Sequence, residues 1–139
     1  MVTEVLLRAH VVAVCFLAGL VWVVQLLVYP GFEPLGATAR WREVHDRHTR
    51  TMARLVTGPW AVQGVTCAWL LIAAPVPWPL AIAAGVCGAA TVAVTVLVSV
   101  PCHQRLSEGY DPVVLARLVR TNWYRTAAWS AGALVAVML

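Results

Sequence analysis

The sequence contains no lysine, and charge of either sign is scarce. All ten basic residues are arginine, only six residues are acidic, and charged residues make up 12% of the 139-residue chain. A soluble domain carries about twice that fraction, which excludes an ordinary water-soluble globule. Acidic residues are missing from the interior of every apolar run. This argues against a proton-coupled exporter, which needs an intramembrane carboxylate, and against a di-iron bundle, which needs several inward glutamates. Cysteine occurs four times, at Cys15, Cys67, Cys87 and Cys102, with no C-x-x-C pair. The first three fall in apolar runs and are expected to be small buried packing residues, not disulfide partners.

Apolar length stands in place of charge. The chain is 61% hydrophobic, with a mean hydropathy of +0.80. The expected fold is all-α: an integral membrane four-helix bundle forming one domain over residues 1–139. A hydrocarbon core of ~30 Å takes ~20 helical residues. Four runs meet that length, and the expected helices are about 5–29, 39–74, 79–100 and 112–138. The isoelectric point near 9.2 does not imply nucleic acid, because the arginines stand beside apolar spans, where membrane topology accounts for them.

Along the chain, Pro30-Gly31 ends the first helix. Thr38 is placed to cap the second. Pro59 is expected to kink that helix. Pro75-Val76-Pro77-Trp78-Pro79 makes helices two and three antiparallel neighbours. Pro101 stops or bends helix three. Asp111 caps helix four, with Pro112 in its first position. Five arginines, at 40, 42, 47, 50 and 54, follow the first loop. Arg105, Arg117, Arg120 and Arg125 follow the third run, and only Arg8 lies on the other side. The positive-inside rule then puts both termini on the non-cytoplasmic side of a bacterial inner membrane.

Polar residues collect at the cytoplasmic end. Asn122 and Arg125 are three apart near the membrane edge of helix four and share a face. An arginine at mid-bilayer costs roughly 2.5–3.5 kcal/mol on insertion scales, so an inward role is worth seeking. Gln25 and Tyr29 share a face of helix one, with Trp22 adjacent. His45, His48, Thr49 and Met52 form one stripe of helix two. His103 follows Pro101. Gln63 is a further amide inside a span, and His10 reads as a packed or interfacial histidine. Intramembrane polar groups face inward as a rule, so one shared pocket is expected.

Three motifs, His45-Asp46-Arg47-His48-Thr49-Arg50, Val100-Pro101-Cys102-His103-Gln104-Arg105-Leu106 and Thr121-Asn122-Trp123-Tyr124-Arg125-Thr126-Ala127-Ala128-Trp129, together resemble a family of small bacterial four-span membrane proteins without an assigned activity. Gln25, Tyr29-Pro30 and Gly109-Tyr110-Asp111 fit the same pattern. The resemblance implies that the histidines, Asn122 and Arg125 belong to one site. Glutamine at 63 departs from the carboxylate near that position in the family. The chain is also similar, more faintly, to small four-span anthrone oxygenase-like proteins.

The expected function is an intramembrane enzyme acting on a lipophilic small molecule such as a polyketide, isoprenoid or quinone. His45, His48 or His103 would act as general acid or base. Arg125 and Asn122 would stabilise a developing oxyanion. Gln25, Tyr29, Trp22, Gln63 and Trp123 would position the substrate. Cyclisation, isomerisation or cofactor-independent oxygenation fits this chemistry. One alternative is a metal held by His45 and His48 with His103 or Cys102, or a haem held by two histidines from facing helices. Another is a structural or transport subunit. The expected partners are the lipophilic molecule and membrane lipid, with self-association left open.

Overall fold

A computed structural model describes residues 1–36 and 38–139; Ala37, in the expected first connection, lies outside the described residues. Among the described residues there is no strand. The helices are α1 (Val2–Val23), α2 (Trp41–Ala73), α3 (Trp78–Val94), α4 (Val100–Glu108) and α5 (Pro112–Ala136). Three rods are long and apolar enough to cross a membrane: Val2–Phe32, Trp41–Ala73 and Trp78–Glu108. Arg117, Arg120, Asn122 and Arg125 interrupt the apolar pattern of α5. α1 packs on α2 and α5, and α3 packs on α2 and α5, which closes a ring of antiparallel neighbours. Outside that ring Phe16, Val65, Ile72, Val86, Leu97 and Leu134 are exposed, as suits contact with lipid.

Prolines shape two of the rods. A π turn, Val24–Val28, continues α1, and the Tyr29 amide bonds the Val24 carbonyl five residues back at 3.0 Å. A short 3-10 turn, Pro30–Phe32, follows. A second π turn, Thr95–Ser99, joins α3 to α4 immediately before Pro101. Proline has no amide proton and its ring crowds the carbonyl one turn back. Widening the preceding turn makes room for that ring, so the rod runs on to Glu108 instead of ending at residue 100. Pro59 likewise leaves α2 unbroken.

Several ends differ from expectation. α2 starts at Trp41, and the Thr38 hydroxyl donates backwards to the Leu35 carbonyl at 2.7 Å instead of capping the helix. The Asp111 carboxylate does cap α5, accepting from the Val113 and Val114 amides. α2 ends on Ala74, in the left-handed conformation at φ 45°. Cys67 is buried and Cys87 half-buried, but Cys15 faces outward, and all four cysteines are free.

Candidate functional site

The polar residues of one end form two connected chains of hydrogen bonds. In the first, Gln25 on the π turn after α1 donates to the Val119 carbonyl at 3.4 Å and accepts from Asn122 Nδ2 at 2.7 Å. Asn122 Oδ1 in turn accepts from Arg125 Nη1 at 3.1 Å, and the same nitrogen donates to Ser99 Oγ at 3.4 Å. Arg125 stacks over Trp129 at 5.1 Å. Trp129 Nε1 donates to Gln63 Oε1 at 3.1 Å. Both hydrogen bonds of the guanidinium leave from Nη1, while Nε is buried without a partner. Among the described residues no carboxylate pairs with Arg125.

The second chain links the histidines. The Ser107 hydroxyl has one proton and donates it to the His103 carbonyl at 3.0 Å. Toward His45 Nδ1, 3.4 Å away, it is therefore the acceptor. That puts the proton of His45 on Nδ1 and leaves Nε2 to accept from His103 Nδ1 at 3.1 Å. His103 Nε2 is then unprotonated and accepts from the Tyr29 hydroxyl at 3.4 Å. Trp41 stacks on His45 at 5.2 Å and anchors itself by donating to the Leu106 carbonyl at 2.9 Å. Phe32 stands edge-on to His48 at 5.0 Å, and Tyr110 packs against Trp41. These aromatic rings close the end of the bundle over the imidazoles.

Both chains meet a cavity of about 480 Å³. Its polar end is Tyr29, His48, Ser99, His103 and Arg125; its apolar walls include Leu17, Val21, Met52, Val56, Trp60 and Trp129. Ala53 and Thr57 of α2 and Val100 and Gln104 of α4 line it and are exposed, so it opens sideways between those helices. A smaller cavity of about 160 Å³ lies between α2 and α3, against Gln63, Cys67 and Gly88.

Comparison with protein-family models, curated proteins and solved structures finds no match.

The structure brings Gln25, Tyr29, His45, His48, His103, Asn122 and Arg125 to one end, but at different depths. Tyr29, His48, His103 and Arg125 touch the cavity. His45 and Asn122 are fully buried behind them, and Gln25 is buried against Asn122 away from the cavity. Gln63 holds Trp129 from outside the large cavity. Trp22 and Trp123 do not line it: they pair edge-to-face on the exterior at 5.6 Å, and Trp22 donates to Ser130 Oγ. The reason is angular. Asn122, Thr126 and Trp129 occupy the inward stripe of α5, and Trp123 is ~100° away from it. Trp129 was legible by the same count, seven residues beyond Asn122. Ser99 and Ser107 carried no such signal.

The metal alternative finds no geometry here. Among the described residues no three His, Cys, Asp or Glu side chains converge to hold an ion. His45 and His103 turn their facing nitrogens on each other. Cys102 is buried in an apolar cluster with Leu106, Leu115 and Leu118 and is absent from the cavity lining. His10, at the opposite end, is buried against Thr66 Oγ1 at 2.7 Å.

Proposed function

We propose that this chain is a four-span protein of the bacterial inner membrane, an enzyme that moves a proton on a lipophilic small molecule. One observation carries the reading. An arginine without a carboxylate partner and an unprotonated imidazole nitrogen share the polar end of an otherwise apolar cavity. The cavity opens sideways between α2 and α4, where exposed Leu55 and Val100 stand beside Arg50, Arg54 and Arg105, so a lipophilic substrate with a polar end can enter from the edge of the leaflet. α5 serves as the fourth span because its Asn122 and Arg125 turn inward and are satisfied there. The arginine-rich segments face the cytoplasm and both termini the other side.

In this reading His103 Nε2 removes a proton from carbon beside a substrate carbonyl. Tyr29 must first give up its hydrogen bond to that nitrogen. The carbonyl oxygen becomes an enolate oxygen held by the open edge of Arg125. The proton then returns from His103 to another atom of the same molecule, giving an isomer, or the enolate carbon attacks a second carbonyl, closes a ring, and the new alkoxide oxygen takes the proton back from His103. No oxidant is needed in either case. A positioned base contributes roughly a hundred- to ten-thousandfold in rate, and one oxyanion donor roughly a hundred- to a thousandfold. His48 stands beside the same space as a second proton carrier.

The test is native mass spectrometry of the protein in lipid nanodiscs. Wild type should carry a lipophilic small molecule that Arg125→Gln loses. Returned to the protein in deuterated water, that molecule should gain deuterium at carbon. An empty wild-type cavity, or a ligand retained equally by Arg125→Gln, would overturn the reading.

A further inference from the structure

His45 is fully buried, yet it does not touch the cavity. Its ring stands between two regions. On one side is His103, which faces the cavity. On the other is Asp46, whose carboxylate oxygen lies 3.7 Å from His45 Nδ1 and whose side chain is 36% exposed. In the four-span reading the cavity mouth lies at the leaflet edge between α2 and α4, and the lipid beside it conducts no protons. The end of the bundle is covered by Phe32, Trp41 and Tyr110. A proton that exchanges between a ligand on His103 and water at this end has a side-chain path through His45 and Asp46.

We propose that His45 is a relay that carries protons between His103 and Asp46. This rests on the proton-transfer reading above. The steps balance. His103 Nε2 takes one proton from the cavity; His103 Nδ1 passes its own proton to His45 Nε2; His45 Nδ1 passes its proton to the Asp46 carboxylate, which releases it to water. His45 must first give up the hydrogen bond from Nδ1 to Ser107 Oγ and close on Asp46, 3.7 Å away; one proton then enters and one leaves, and each ring ends neutral in its other tautomer. Reversal, with a proton taken up from water, resets both rings. Imidazole suits the task because its two nitrogens face opposite ways and either can carry the proton. The groups around the pair are Phe32 and Trp41 on His45, Ser107 between the two rings, and Tyr29 and His48 on His103. His45 acts through His103 and is a relay residue, not one that touches substrate.

The experiment follows exchange of the His103 ring proton with water by NMR of ¹⁵N-histidine-labelled protein in lipid nanodiscs. His10, buried at the far end and bonded to Thr66, is the internal control. His45→Gln keeps a hydrogen-bonding side chain that cannot shuttle a proton. It should slow His103 exchange at least tenfold and leave His10 unchanged. Asp46→Asn, at a partly exposed position, should slow it severalfold without disturbing the core, and it decides the matter if His45→Gln does not fold. Unchanged His103 exchange in whichever variants fold would overturn the relay. That result would leave the ligand experiment untouched; conversely, a His45-dependent exchange in a protein without a ligand would keep the relay and remove the enzyme.

Discussion

Asn122 and Gln25 are bonded side chain to side chain, amide nitrogen to amide oxygen, at 2.7 Å across the seam between α5 and the π turn after α1. The other end of the Asn122 amide accepts from Arg125. Asn122 therefore orients the arginine without meeting the cavity itself. Asn122→Leu leaves two buried partners unmatched and should cost about 1–3 kcal/mol, seen as a lower midpoint of unfolding in detergent. Asn122→Asp is the sharper variant. It keeps an acceptor for Nη1 but gives Arg125 a carboxylate partner. It should insert in the membrane as wild type does, yet bind the lipophilic ligand at least tenfold more weakly by titration.

The mouth of the cavity makes a separate prediction. Ala53 is exposed on its rim. Ala53→Trp should hinder ligand uptake and leave stability within about 0.5 kcal/mol, as surface substitutions do. Uptake rates measured by quenching of tryptophan fluorescence would fall, and rates equal to wild type would place the route elsewhere.

Pro101 bears on geometry more than on stability. Pro101→Ala restores an amide proton and removes the reason for the wide turn at Thr95–Ser99. A return to regular α-helix would rotate Ser99 relative to His103. The variant should be at least as stable as wild type but bind the ligand severalfold less tightly. Equal affinity would mean that the turn serves packing only.

The exterior tryptophans provide the contrary case. Trp22→Phe and Trp123→Phe lie outside the cavity and should change ligand affinity less than twofold.

At the far end, Ala74 sits at φ 45°. A left-handed conformation costs an alanine roughly 1–2 kcal/mol that glycine avoids. Ala74→Gly should raise the unfolding midpoint modestly without any effect on the site.

The helices were legible because apolar runs punctuated by proline leave few other folds, and the stripe His45, His48, Thr49 and Met52 could be counted from its spacing alone. Depth could not. Whether His45 or His48 meets the cavity depends on where Phe32 packs, and Phe32 lies in the connection, where no periodicity exists. Trp22 and Trp123 lie outside the cavity because helical angle sets the face each residue occupies. The continuation past Pro101 was hidden for a different reason: a π turn leaves no composition signature.

Each of the two π turns can be viewed as one residue more than a straight α-helix would use. Removing a single residue from Val24–Val28 and another from Thr95–Ser99 would return both rods to unbroken α-helix. The apolar seams on the far side of those turns would keep their register. Gln25, Tyr29, Ser99 and His103 would swing out of theirs. Two deletions thus separate the bundle as a scaffold from the bundle as a site.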